Sequence, residues 1–152
     1  INPEFTDITE VFSSLTSDLV IVKNNSGDAY LPEWSYNGIG DMLIGEGYQL
    51  KINMNTDLLI TGERILPTLN PIAIEEGWSL IAYLRLEPVL ANLALQDLTE
   101  SNNLIIAKDN YGNAYLPEWD FNGIGDFESG SGYQLKTSNA DTLLYLSDEE
   151  NY

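Results

Sequence analysis

The sequence predicts an α+β protein of two tandem repeats, each with one amphipathic helix packed on an antiparallel sheet or a partly closed barrel. Three observations carry this. Residues 22–51 recur as residues 107–136 at a constant spacing of 85, with twenty of the thirty positions identical and no gap. An apolar stripe at helical spacing precedes each copy. Short β-branched runs and glycine-rich turns make up the remainder.

The elements follow in chain order. Residues 6–16 carry Ile8, Val11, Phe12 and Leu15 at i, i+3, i+4 and i+7, the spacing of a helix with one buried face. Thr6, Thr9 and Glu10 give it a polar start. Residues 88–98 repeat the stripe with Val89, Leu90, Leu93, Ala94 and Leu98, and Pro88 suits a first helical turn. Val11, Phe12 and Leu15 align with Ala94, Leu95 and Leu98 when the spacing shortens by two residues. LVIVK and LIIAK read as buried strands. AYLPE reads as extended, with Pro32 and Pro117 barring a central place in a ladder. NGIGD is a turn region, and GYQLK alternates as a half-exposed strand. TDLLIT and DTLLYL follow as further strands. Between the copies, residues 71–74 and 77–84 read as two strands, the second apolar on both faces and therefore central, with Trp78 in the core.

The division predicted is repeat 1 over residues 1–62, a linker over 63–70, and repeat 2 over 71–152. Repeat 1 lacks the leading strands that repeat 2 has. The chain therefore reads as a piece cut from an array of repeats, with a missing partner segment or an open edge at that end.

Composition narrows the chemistry. The 152 residues are 43% hydrophobic, enough for a core and unlike a disordered segment. No apolar run reaches the roughly 18 residues that span a bilayer. With 24 acids against six bases the net charge is −18, which repels nucleic acid and anionic membranes. Cysteine and histidine are absent, which removes disulfides, Cys/His zinc sites and the Ser-His-Asp and Cys-His forms of catalysis.

The run GWSLIAYLR, a helical stripe, and LIIAKDNYGNAYLPEWDFNGIGDFESGSGYQLK together resemble a known repeat. It occurs in large secreted and cell-surface proteins of marine Bacteroidetes and in structural, tail-fibre-like proteins of marine phages. The resemblance covers nearly the whole chain. Ile44 and Ser129 stand where the repeat pattern usually has proline. It implies an extracellular, cell-surface or virion location, a role in display or adhesion, and no catalytic residues.

The duplicated polar and aromatic set gives the candidate ligand-binding residues: Tyr30, Glu33, Trp34, Asn37 and Asp41, with Tyr115, Glu118, Trp119, Asn122 and Asp126. Aromatic faces stack on sugar rings, and carboxylates and amides bond hydroxyls, so a surface glycan or a protein partner is expected. The competing reading has Trp34 and Trp119 capping the core. In that reading Lys23, Lys108, Lys51 and Lys136, which recur at equivalent positions, pair with Glu33 and Glu118 or with Asp41 and Asp126. Calcium remains open at DNYGN and DFNGIGD, although the helix–loop–helix calcium order is absent and Ser35 replaces Asp120. A glycosidase-like carboxylate pair, Glu33 with Asp41 or Glu118 with Asp126, is the enzymatic alternative. The recurring glycines at 38, 40, 45 and 47 are read as turn-formers. Exposed edges leave association into homo-oligomers or longer arrays open.

Overall fold

A computed structural model describes residues 1–149; the last three positions of the predicted second repeat, 150–152, lie outside the described residues. The first copy comprises β1 (Asn2–Pro3), α1 (Ile8–Val11), β2 (Leu19–Lys23), β3 (Ala29–Leu31), β4 (Tyr36–Asn37), β5 (Gln49–Ile52) and β6 (Gly62–Glu63). Then come β7 (Ile72–Ile74), β8 (Gly77–Ala82), β9 (Val89–Leu90), α2 (Ala91–Ala94) and α3 (Gln96–Glu100). The second duplicated stretch forms β10 (Leu104–Lys108), β11 (Ala114–Leu116), β12 (Phe121–Asn122), β13 (Asp126–Phe127), β14 (Gly132–Thr137) and β15 (Asp141–Leu143).

The α+β expectation is overturned. Among the described residues, strand accounts for 36% and helix for 17%, in five small antiparallel sheets, none of them closed into a barrel. The helices are too short to form a layer. The stripe at residues 6–16 yields only four α-helical residues, capped by the Asp7 carboxylate on Thr9 N–H (2.8 Å), before it tightens into a 3-10 turn, Ser13–Leu15. The predicted face is buried at Ile8, Phe12 and Leu15 and partly buried at Val11, but the helix is far shorter than the predicted span. In the second copy Pro88 does not open a helix. Val89 and Leu90 pair with Phe127 and Asp126 as a strand, and the helix starts only at Ala91. Side-chain burial repeats with similar spacing in a helical turn and in an irregular one, so periodicity alone does not give length.

The duplicated stretch takes one backbone plan in both copies. The sheet order is β4-β3-β2-β5 in the first and β12-β11-β10-β14-β8 in the second. Val22 pairs with Tyr30 and Leu50, and Ala107 with Tyr115 and Leu135; a bulge follows Leu19 and Leu104 alike. Each NGIGD turn holds its own helix start: Gly40 O accepts Ile8 N–H, and Gly125 O accepts Ala91 N–H (both 2.9 Å). Each copy also has its own core. The first comprises Ile8, Phe12, Leu15, Leu19, Val22 and Tyr30; the second is larger, with Phe127 stacked on Tyr133 and Tyr83 edge-on to Phe127 and Tyr145.

Two strand expectations fail for one physical reason each, and one pairing was not expected. TDLLIT forms no strand, because DTLLYL pairs with β7 and the first copy has no counterpart of β7. β8 is not fully enclosed: Ser79 and Ile81 point inward, while Trp78 is 49% exposed rather than in the core. The N-terminal residues pair as β1 with β6, closing the first copy onto its own exit.

The copies meet through main-chain atoms. Gly47 N–H donates to Leu80 O (3.0 Å) and Ala82 N–H to Gly45 O (2.9 Å). The Asn25 side-chain oxygen accepts Leu80 N–H (2.6 Å). A Cβ on Gly47 would lie 2.7 Å from Ile81 O, so glycine is required there for close approach and not for a turn.

Candidate functional site

The ten candidate residues divide into two groups. Tyr30 and Tyr115 are 5% and 4% exposed and belong to the cores. Asn37 Oδ1 accepts the N–H groups of Ile39 and Gly40, and Asn122 exchanges two bonds with Gly125; these amides hold the NGIGD turn. Asp41 accepts Thr6 Oγ1–H (2.8 Å) and bridges Asp7, while Asp126 lies in β13. Six of the ten thus have structural work to do.

The remaining four are the Glu-Trp pairs, and all are exposed. Leu31 and Leu116 are extended; the proline that follows each carries no N–H and starts a 3-10 turn, Pro32–Trp34 and Pro117–Trp119. Ser35 and Asp120 then adopt left-handed φ of 49° and 47°, and their N–H groups bond Pro32 O and Pro117 O. This reversal sends the chain back as the edge strand and leaves the indole outside the sheet. Trp34 and Trp119 are both 72% exposed, so the core-capping reading is overturned. Tyr36 and Phe121, two residues on, are 54% and 53% exposed, their rings lying against Gly38 and Gly123. The sequence reading missed this second ring, although its position in every copy was visible.

The repeated lysines do not pair with Glu33, Glu118, Asp41 or Asp126. The ion pairs found among the described residues join Arg64 and Arg85 to Asp148. Lys108 Nζ lies 5.2 Å from the centre of the Trp78 ring and Lys136 Nζ 5.9 Å from it, so an aromatic face takes the place expected of a carboxylate. A cleft of about 810 Å³ between the copies is lined by Lys23, Lys51 and Lys108, with Tyr48, Tyr111 and Gln49. Asp109 and Glu128 also line it, the former bonded into its own turn through Tyr111 and Asn113. Tyr48 is raised well above the usual phenol value by burial and by its bond to the Glu46 carboxylate.

Neither this cleft nor a smaller one at Asn2 and Gly62 is lined by any of the ten candidates. Among the described residues no three acidic side chains gather as a metal cluster, and no helix is long and apolar enough to cross a membrane. No family model, curated protein or solved structure matches the chain.

Proposed function

We propose that the chain is a non-catalytic repeat module for adhesion or display on an extracellular surface or a phage particle, contacting glycans through one aromatic platform per copy. The observation that carries this reading is the pair Trp34 and Trp119. Each is left in water at the same corner of the same turn, two residues before a second exposed ring. An indole buried against a partner gains roughly 3 kcal/mol or more, so two large apolar faces kept solvated at equivalent positions favour a contact surface over packing. Glu33 and Glu118 stand next to these rings and can accept bonds from sugar hydroxyls.

The test is a glycan array probed with the native chain, W34A, W119A and the double variant. Each single variant should weaken binding to the same glycan about tenfold, and the double variant should abolish it, since two linked sites add avidity. Binding that survives in the double variant removes the platforms from the function. No observation favours the glycosidase reading: the Glu33–Asp41 and Glu118–Asp126 pairs line neither cleft.

A further inference from the structure

The sequence GYQLK occurs twice and meets two different surroundings. In the second copy β14 has β10 on one side and β8 on the other, from Gly132 opposite Ala82 to Thr137 opposite Gly77. Leu135 and Thr137 are 0% and 1% exposed. In the first copy β5 has only β2 beside it, and the equivalent Leu50 and Ile52 are 43% and 37% exposed. The following segment shows the same deficit: Leu143, paired through β15 to Ile72, is buried, whereas Leu58 lies in no strand. One missing element, the β7–β8 pair, accounts for both differences.

The joint between the copies does not fill this gap. Ser131 O accepts Tyr83 N–H (3.1 Å), so by strand alternation Tyr133, Leu135 and Thr137 turn their polar backbone toward β8. Their counterparts in the first copy are Tyr48, Leu50 and Ile52. Gly45 and Gly47 point the opposite way, to Ala82 and Leu80. The edge formed by Tyr48, Leu50 and Ile52 is therefore open along its length. It also carries none of the usual guards, such as a proline or an inward charge at positions 48, 50 and 52.

We propose that the free edge of β5 is a strand-docking site for a two-strand segment of the β7–β8 type, supplied by another repeat of this kind. The docked strand runs antiparallel, with its alanine opposite Gly47 and its glycine opposite Ile52, as Ala82 and Gly77 stand to Gly132 and Thr137. Its isoleucine and serine cover Tyr48 and Leu50 as Ile81 and Ser79 cover Tyr133 and Leu135. The companion strand then orders residues 56–58 as β7 orders β15. Main-chain bonds supply affinity and the alternating side chains supply register. The inference rests on reading the chain as a repeat module, but not on the tryptophan platforms.

The experiment adds a synthetic peptide of residues 71–84 to the intact, isotope-labelled chain and follows amide exchange. Exchange at Tyr48, Leu50 and Ile52 should slow about tenfold or more, with Leu135 unchanged. Leu50→Pro removes an outward N–H while sparing the Gln49 and Lys51 bonds to β2, and should abolish the effect. Leu50→Lys provides a milder block if the proline disturbs the sheet, and a scrambled peptide should do nothing. No binding at about 1 mM peptide overturns the proposal. So does protection confined to β14, or protection that persists in both Leu50 variants. Glycan binding measured on the same variants should be unaltered, which separates failure here from failure of the platform reading.

Discussion

Ser35 and Asp120 show how one residue decides which side chain is left in water. Both are left-handed, but a serine gains nothing from that region, whereas an aspartate tolerates it better. Ser35→Gly should therefore stabilise the chain by about 1 kcal/mol in urea melts, and Asp120→Gly by less. Both should leave Trp34 and Trp119 exposed. At this scale the sequence was partly legible. Duplication picked out all ten candidates alike, whereas the structure leaves Trp34 and Trp119 exposed, buries Tyr30 and Tyr115 in the cores and ties Asn37 and Asn122 into turns, for a definite reason. A residue kept twice can be kept for packing or for a turn as well as for a ligand, and residue type does not distinguish these. Trp78 was misjudged in the opposite direction. An apolar run around it suggested enclosure, but its strand faces inward only at Ser79 and Ile81.

Elements are joined here more by single polar ties than by layers. The segment after β15 is pinned to the loop after β8 by Asp148, whose carboxylate accepts Arg64 Nη2–H (2.6 Å) and Leu86 N–H (2.7 Å) and lies 3.8 Å from Arg85 Nε. Burial opposes the charge, but the Leu86 amide and the Arg64 guanidinium outweigh it and hold the carboxyl below the usual aspartate value. A depressed folded value means that the stabilisation is complete above the unfolded value, near pH 4, and disappears as pH falls through the folded one. Asp148→Ala should cost about 1–2 kcal/mol at pH 7, because it removes the acceptor of the Leu86 amide and of the Arg64 guanidinium, and the cost should shrink below pH 4 in thermal melts. None of this was readable in advance. The tie spans 84 residues between Arg64 and Asp148, and nothing local marks either partner. Strands were more legible than helices, because a five-residue β-branched run has few alternatives, whereas the stripes at 6–16 and 88–98 suit several short conformations.

At the scale of the molecule the copies are unequal. Six buried residues form the first core and sixteen the second, the difference coming largely from what β7 and β8 cover. The joint at Gly47 is where the smaller copy leans on the larger. Gly47→Ala places a methyl 2.7 Å from Ile81 O, whereas Gly132→Ala meets the same oxygen at 3.3 Å. The first substitution should speed exchange of the Ala82 amide about tenfold while leaving the second copy's β10–β14 ladder protected; the second should do much less. The duplication itself was visible in the sequence. The shallow, mainly-β architecture was not, since it depends on main-chain pairings distant in sequence, above all on β8, which the two copies share through β14 on one edge and Gly45 and Gly47 on the other.

That shared strand has a consequence for how the tryptophans are spaced. Amide and carbonyl groups at positions 45, 47, 80 and 82 fix the angle between the copies, with one asparagine side chain assisting. The spacing from one indole to the other is thus a ruler engraved in peptide bonds. In the proposed role, drift in the outward side chains changes what each copy grips, while the pitch of the grip stays the same.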